Sequence, residues 1–334
     1  MKPVIFGLAG LELSADERAF FADADPAGYI LFKRNCGHRA QMRALTDSLR
    51  DLHGRADLLI MIDQEGGRVA RMQPPEWPAF PAGAVFDALY ETSPISAIEA
   101  ARANAEALGL MLAEVGVTVD ALPLLDLRQP DANDVIGDRA YGFEPMRVAA
   151  IGRAVLEGLA AGGVTGIVKH MPGHGRVLVD SHKALPLVEA SEQELESDLA
   201  PFRTLNWAPI GMTAHIVYSA WDDARPGTLS HYVVERIIRE RIGFDGLLMT
   251  DDIDMKALSG TPAEKACGAI DAGVDLVLDC WARMDEMVAI ANALPEAAVR
   301  TQERLAAAMA FRKAPRPERF AELVAKRDEL LAVT

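Results

Sequence analysis

Apolar residues along this chain gather in short uninterrupted runs, separated by longer stretches with a helical period. The runs fall at residues 4–8, 28–32, 58–62, 117–122, 164–168, 210–215, 246–250 and 274–278. Nearly all are continuous rather than alternating, which is the pattern of parallel strands covered on both faces. Amphipathic segments lie between them at 39–52, 95–114, 145–161, 191–205, 232–241, 262–272 and 283–293. Two further helices are predicted near 296–312 and 317–331. Strand and helix alternating eight times predict a (β/α)₈ TIM-type barrel, with an open doubly wound sheet as the alternative. No Pro/Ser-rich linker, low-complexity tract or solenoid-length repeat interrupts the pattern. A single catalytic domain over 1–334, ending in C-terminal helices, is therefore expected.

Composition narrows the partners. The net charge is −15 and no Lys/Arg-rich run is present, so a nucleic-acid partner is not expected. No apolar run approaches the roughly 18–20 residues that cross a bilayer, so no membrane span is expected. The three cysteines, Cys36, Cys267 and Cys280, are too few and too scattered for a disulfide framework or a thiolate zinc site. The first residues, Met1-Lys2-Pro3-Val4-Ile5-Phe6-Gly7-Leu8, meet Glu12 and Asp16 soon after. They read as a buried first strand rather than a signal peptide, and with the free thiols they point to the cytoplasm.

In such barrels the chemistry sits where strands end. The third strand runs into Asp63-Gln64-Glu65-Gly66-Gly67-Arg68, the fourth toward Asp126, the fifth into Lys169-His170-Met171-Pro172-Gly173-His174-Gly175. The sixth ends in Ala214-His215, the seventh in Thr250-Asp251-Asp252 and the eighth in Asp279-Cys280. Charged groups thus converge on one rim. Side chains alternate along a strand, so only one of Asp251 and Asp252 faces a central pocket; Asp252 is free to cap residues 253–257. By itself an Asp-Asp pair is more often structural than catalytic. In the loop after the fifth strand, Asp180 and His182 are two apart and share a side of an extended chain, so the carboxylate can orient the imidazole as a general acid/base. Asp63, Glu65, Arg68 and Arg71 form a mixed-charge cluster suited to vicinal hydroxyls or to internal ion pairs. Arg139 lies in a long loop of the kind that serves a site. His170 and His174 invite a zinc reading, but Pro172-Gly173 between them breaks any helix, and neither metal nor cofactor is expected. Lys169 is open to two uses, Schiff-base chemistry or sugar binding.

Taken together, Gly28 to Asn35, Asp63-Gln64-Glu65-Gly66-Gly67-Arg68-Val69, Lys169-His170-Met171-Pro172-Gly173-His174-Gly175, Asp180-Ser181-His182 and Thr250-Asp251-Asp252 resemble family 3 of the glycoside hydrolases. Within it they resemble the bacterial NagZ-type β-N-acetylglucosaminidases. The matching runs extend in family order from about residue 28 to residue 280. The resemblance implies Asp251 as the nucleophile of a glycosyl-enzyme, His182 as acid/base assisted by Asp180, and Asp63, Arg71, Arg139, Lys169 and His170 as sugar-binding residues. It implies a GlcNAc–1,6-anhydro-MurNAc muropeptide substrate. Met171 stands where the family commonly has Phe, and Arg176 adds a charge to the loop. Within the same family, phosphorolysis and a broader β-glucosidase activity remain alternatives. A sugar-binding barrel without activity and a Lys169 aldolase are the rivals from outside that chemistry.

Overall fold

The computed structural model describes residues 1–129, 135–177 and 185–332. Eight parallel strands close into a barrel: β1 (Lys2–Gly7), β2 (Pro26–Leu31), β3 (Leu59–Ile62), β4 (Val119–Asp120), β5 (Thr165–Met171), β6 (Ile210–Thr213), β7 (Leu247–Asp252) and β8 (Leu276–Asp279). Each pairs with its sequence neighbours, and β8 returns to β1 with Val277 opposite Val4. That closure is the predicted (β/α)₈ barrel and excludes the open sheet.

The continuous apolar runs now have a reason. Ile5, Ile30, Met61, Ile167, Met249 and Leu278 belong to the cluster that fills the barrel interior. Their strand neighbours Phe6, Leu31, Ile62, Val168, Leu248 and Val277 belong to the cluster shared with the surrounding helices. Alternate residues thus face two dry environments, so the strand interiors are apolar and polar residues come at the strand ends.

The surrounding helices are α1 (Ala15–Ala24), α2 (Arg39–His53), α3 (Gly83–Thr92), α4 (Pro94–Glu114), α5 (Pro145–Ala161), α6 (Glu192–Thr204), α7 (Pro262–Ala272), α8 (Met284–Ala293), α9 (Val299–Ala310) and α10 (Phe320–Leu331). Between β6 and β7 the segment Val233–Ile242 is a π-type helix, stopped by Gly243 at φ 79°. The predicted helix 296–312 begins later, at Val299, and the first turn of 317–331 is a 3₁₀ turn, Pro317–Arg319. α10 is fixed on α4 by Arg327, whose Nη1 donates to Asn104 Oδ1 at 3.2 Å, and by an Arg319–Glu106 ion pair. Two helices have no counterpart in the apolar periodicity. α1 buries only Glu17, Phe21 and Ala24, and its signal is the Ser14–Glu17 capping box. α3 runs almost directly into α4, whose first residue is Pro94. β4 is shorter than the predicted 117–122 because Thr118 Oγ1 accepts the Ile60 N–H at 2.8 Å in place of a backbone carbonyl, and Pro123 has no N–H to offer. A two-stranded parallel sheet, Leu187–Val188 with Val217–Tyr218, covers the loop beyond β6.

Beneath β7 the barrel is tied by Asp275. Its carboxylate accepts Leu248 N at 2.9 Å, Arg239 Nη2 at 2.7 Å, Arg304 Nη1 at 3.0 Å and Thr301 Oγ1 at 3.2 Å. Removing it leaves the buried Arg239 guanidinium without a carboxylate and the Leu248 N–H unpaired. Asp275→Ala is expected to lower the unfolding free energy by about 3–5 kcal/mol in urea titrations. Asp245→Ala, on an exposed partner of the same Arg304, should cost less than about 1 kcal/mol. Equal small losses would contradict this assignment.

Candidate active site

β3 delivers its acidic residues through a tight turn. Glu65 N and Gly66 N both donate to Val69 O, at 2.9 and 3.2 Å. Gly66 has φ 93°, and a Cβ there would lie 2.3 Å from Pro81 O. This close approach requires glycine. Gln64 staples the turn: its Oε1 accepts Arg71 N and Met72 N at 2.8 and 3.0 Å, and its Nε2 donates to Met72 O at 2.9 Å. Arg71 is thereby folded back over the strand end, with Nη2 2.9 Å from Asp63 Oδ2.

Glu65, buried beside this pair, receives both forks of Arg139 at 2.7 Å and Lys169 Nζ at 2.6 Å. Lys169 also lies 3.6 Å from Asp63 Oδ1. Burial alone pushes the Glu65 carboxyl up; Arg139 and Lys169 outweigh it and hold it well below the usual carboxylate range. One carboxylate thus joins the end of β3, the long loop after β4 and the end of β5.

A second buried carboxylate, Asp126, organises the β5 loop. Its Oδ2 is 2.7 Å from His170 Nδ1, and its Oδ1 accepts His170 N at 3.2 Å and His174 N at 2.7 Å. Burial raises this carboxyl as well, and His170 and His174 more than offset it, for a net lowering. With Nδ1 engaged, His170 turns Nε2 toward Asp251, 4.0 Å from its Oδ2. His174 is buried and pushed down to about 4 by desolvation, with His170 adding to the effect. Beyond the loop's glycines, Tyr218 Oη donates to Gly173 O at 2.8 Å and Arg176 pairs with Asp198 at 2.5 Å.

On β7 the two adjacent aspartates part as alternation requires. Asp251 lines a cavity of about 280 Å³ together with Asp63, Glu65, Arg68, Arg71, Arg139, Lys169, His170 and Met212. Its Oδ1 accepts the Asp252 N–H at 2.8 Å. Desolvation raises its carboxyl, but His170, His215, that N–H and Lys169 together lower it below its ordinary value. Asp252 turns away and accepts Asp254 N at 3.1 Å, so it closes a turn and caps no helix over 253–257. His215 holds this strand end: its Nε2 donates to Asp252 O at 2.9 Å, and Nδ1 meets Thr228 Oγ1 at 2.7 Å. Burial lowers its basicity.

The structure therefore brings Asp251, Asp63, Arg71, Arg139, Lys169 and His170 together around one cavity. Asp180 and His182 lie outside the described residues. Glu65 was legible only as one member of a charged cluster, and Asp126 and His215 only as polar residues at strand ends.

Behind β7, burial pushes Asp252 up to about 6, with Asp251 and Asp254 adding to the effect, and pushes Asp279 up to about 7, with Asp252 adding to it. Their folded-state values exceed the unfolded ones, so the folded chain holds these protons more tightly. Stability is then lost as pH rises from about 4 through about 7. Glu65, Asp126 and Asp251 are shifted the other way and act at more acidic pH. The lowered His174 and His215 act in the opposite sense over part of this window, so the readout is a difference: the Tm of the wild type relative to that of Asp279→Asn should fall between pH 5 and 8. Parallel curves would contradict this.

Residues 5–310 match the model of the glycosyl hydrolase family 3 N-terminal domain. The chain is 41% identical over 286 residues to a β-hexosaminidase of Methylococcus capsulatus, covering 83% of this chain and 82% of that one. It is 38% identical over 287 residues to a β-hexosaminidase of Alkalilimnicola ehrlichii, covering 83% and 80%. Among solved structures it is similar to NagZ from Neisseria gonorrhoeae in complex with N-trifluoroacetyl-D-glucosamine, with a TM-score of 0.88 at 30% identity, covering 99% of this chain and 98% of that one. It is also similar to a family 3 β-N-acetylglucosaminidase from a Paenibacillus species, with a TM-score of 0.81 at 33% identity, covering 99% of this chain and 61% of that one. With the family model matched over most of its length and two relatives above 30% identity, the chain belongs to glycosyl hydrolase family 3 and is a glycoside hydrolase.

Proposed function

We propose that the protein is a retaining exo-β-N-acetylglucosaminidase that releases terminal GlcNAc from GlcNAc–1,6-anhydro-MurNAc muropeptides, working as one catalytic (β/α)₈ unit. The observation that carries the reading is the placement of Asp251, an acidified carboxylate, at the edge of a sugar-sized cavity lined by Asp63, Arg71, Arg139, Lys169 and His170. The relatives named β-hexosaminidase and the NagZ structure bound to a glucosamine derivative support the 2-acetamido sugar as the glycone. A cytoplasmic site of action agrees with Cys36, Cys267 and Cys280, all free thiols.

Chemically, the ionised Asp251 attacks C1 of the bound sugar as the C1–O bond to the leaving group breaks. Protonated His182, oriented by Asp180, gives its proton to the departing oxygen. The resulting glycosyl ester is opened by water that the now neutral His182 deprotonates, and Asp251 is released with the anomeric configuration retained. Most retaining glycosidases use a second carboxylate for the proton steps; here the loop imidazole takes that part. Lys169, Arg71 and Arg139 donate to sugar hydroxyls, and each is already paired with Asp63 or Glu65. The cavity therefore keeps its shape and its electrostatic balance before substrate arrives.

Kinetics of single variants test these roles. Asp251→Asn should lower turnover of an aryl β-N-acetylglucosaminide by roughly 10⁴-fold or more. His182→Ala should lose roughly 10²–10⁴-fold on a sugar leaving group and far less on 4-nitrophenol, which departs without a proton. Complete and equal loss in both on the aryl substrate would overturn the division of labour. Asp126→Asn places an amide N–H against His170 Nδ1, which moves the imidazole proton to Nε2. A fall in kcat of roughly 10²-fold is expected, with an unchanged circular dichroism spectrum. Wild-type kinetics in that variant would remove Asp126 from the account.

A further inference from the structure

The loop from β8 to α8 carries a feature that the chemistry above does not use. Trp281 sits on it with 56% of its surface exposed. Surface tryptophans that serve no contact are unfavourable, because an indole left in water forgoes the largest burial gain of any side chain. The next residue, Ala282, has φ 56°, a left-handed conformation that costs energy for a residue with a Cβ. The loop is also pinned. Arg34 Nη2 donates to Cys280 O, and that carbonyl is so close to β1 that a Cβ on Gly7 would come within 2.3 Å of it. Arg283 pairs with Asp254 at 2.6 Å and with Glu286 at 2.5 Å. A short, strained and tethered loop thus holds a large aromatic residue out in solvent.

Its location is informative. Asp254 follows Asp251 by three residues, so the Arg283–Asp254 pair ties the tryptophan loop to the segment that carries the nucleophile. The barrel register agrees, with Leu278 of β8 opposite Asp252 of β7. Trp281 therefore stands on the same rim as Asp251, one strand over, and outside the set of residues lining the cavity. That cavity is walled mostly by charged groups, which suit the hydroxyls of the glycone. The indole supplies a flat apolar surface beyond it.

We propose that Trp281 is the platform of a second subsite, which holds the pyranose ring of the leaving-group sugar against the indole face. The inference rests on the glycosidase reading above. In a chair pyranose with equatorial substituents, such as the reducing-end GlcNAc of a chitobiose unit, the axial C–H bonds form an apolar face that matches the electron-rich face of an aromatic ring. Because the loop is already fixed, stacking on it orders little that was free.

The test compares Trp281→Ala with the wild type on two ligands. One is N,N′-diacetylchitobiose, cleaved between two sugars; the other is free GlcNAc, a competitive inhibitor that fills the glycone cavity alone. The variant is expected to lose roughly 5–10-fold in kcat/KM on the disaccharide. Its inhibition constant for GlcNAc should stay within about twofold of wild type, and Trp281→Phe should recover most of the loss. An unchanged kcat/KM on the disaccharide in Trp281→Ala overturns the inference, as does an equal weakening toward GlcNAc. Wild-type enzyme that cleaves neither the disaccharide nor an aryl β-N-acetylglucosaminide overturns the β-N-acetylglucosaminidase reading, and the subsite with it; cleavage of the aryl glycoside but not the disaccharide overturns the subsite. Cleavage by the wild type with no effect of the substitution overturns the subsite alone.

Discussion

The ion-pair hub at Glu65 is the constraint on which the rest of the site depends. A carboxylate taken out of water is costly unless it is matched in both charge and geometry. Here it is matched by two cations from separate parts of the chain, Arg139 through a bidentate fork and Lys169 through a single short contact. The match joins two strand ends and the loop after β4 into one wall. Without it Lys169 would keep only the 3.6 Å contact with Asp63, and the loop carrying Arg139 would lose its only strong tie to β3 among the described contacts of that residue.

Asp126 repeats the device one layer away. It takes the backbone N–H groups at His170 and His174 and the His170 ring, and so fixes the root of the loop that leads to Asp180 and His182. Between these two fully engaged carboxylates lies Asp251. Among the described residues, one backbone N–H holds its Oδ1, and its Oδ2 faces His170 across 4.0 Å. The nucleophilic role proposed for Asp251 needs that asymmetry. Surrounding positive charge keeps it ionised, while the sparse hydrogen bonding leaves one oxygen able to form a bond to carbon. Asp252, its neighbour in sequence, has the opposite environment, raised by burial and by the charges of Asp251 and Asp254. Strand alternation alone sends the two identical side chains into these different surroundings.

The barrel was legible in the sequence because its strands are apolar on both sides, which is a local signal. The departures are just as local in cause. β4 is short because the Thr118 hydroxyl does a backbone carbonyl's work, and α1 escapes the apolar periodicity because just Glu17, Phe21 and Ala24 are buried. At the site, the residues whose types announce chemistry, Asp251, Lys169, His170 and Arg139, were readable from their positions at strand ends. The roles of Glu65 and Asp126 were not. Glu65 meets Arg139 across 74 residues and Asp126 meets His170 across 44, and no local pattern encodes such a pairing. The Asx turn at Asp252 was similarly hidden, since an aspartate that closes a turn and one that caps a helix look alike in sequence.

The central claim is that Asp251 forms a covalent bond to the sugar. The direct measurement is mass spectrometry of the enzyme stalled with a fluorinated GlcNAc analogue whose glycosyl-enzyme hydrolyses slowly, followed by peptide mapping after denaturation. The account predicts a mass increase of one sugar, located on the peptide containing Leu248-Met249-Thr250-Asp251-Asp252 and assigned to Asp251 by fragmentation. An adduct on Asp252 or on any other residue, or full turnover to product of inverted anomeric configuration with no adduct, would contradict it.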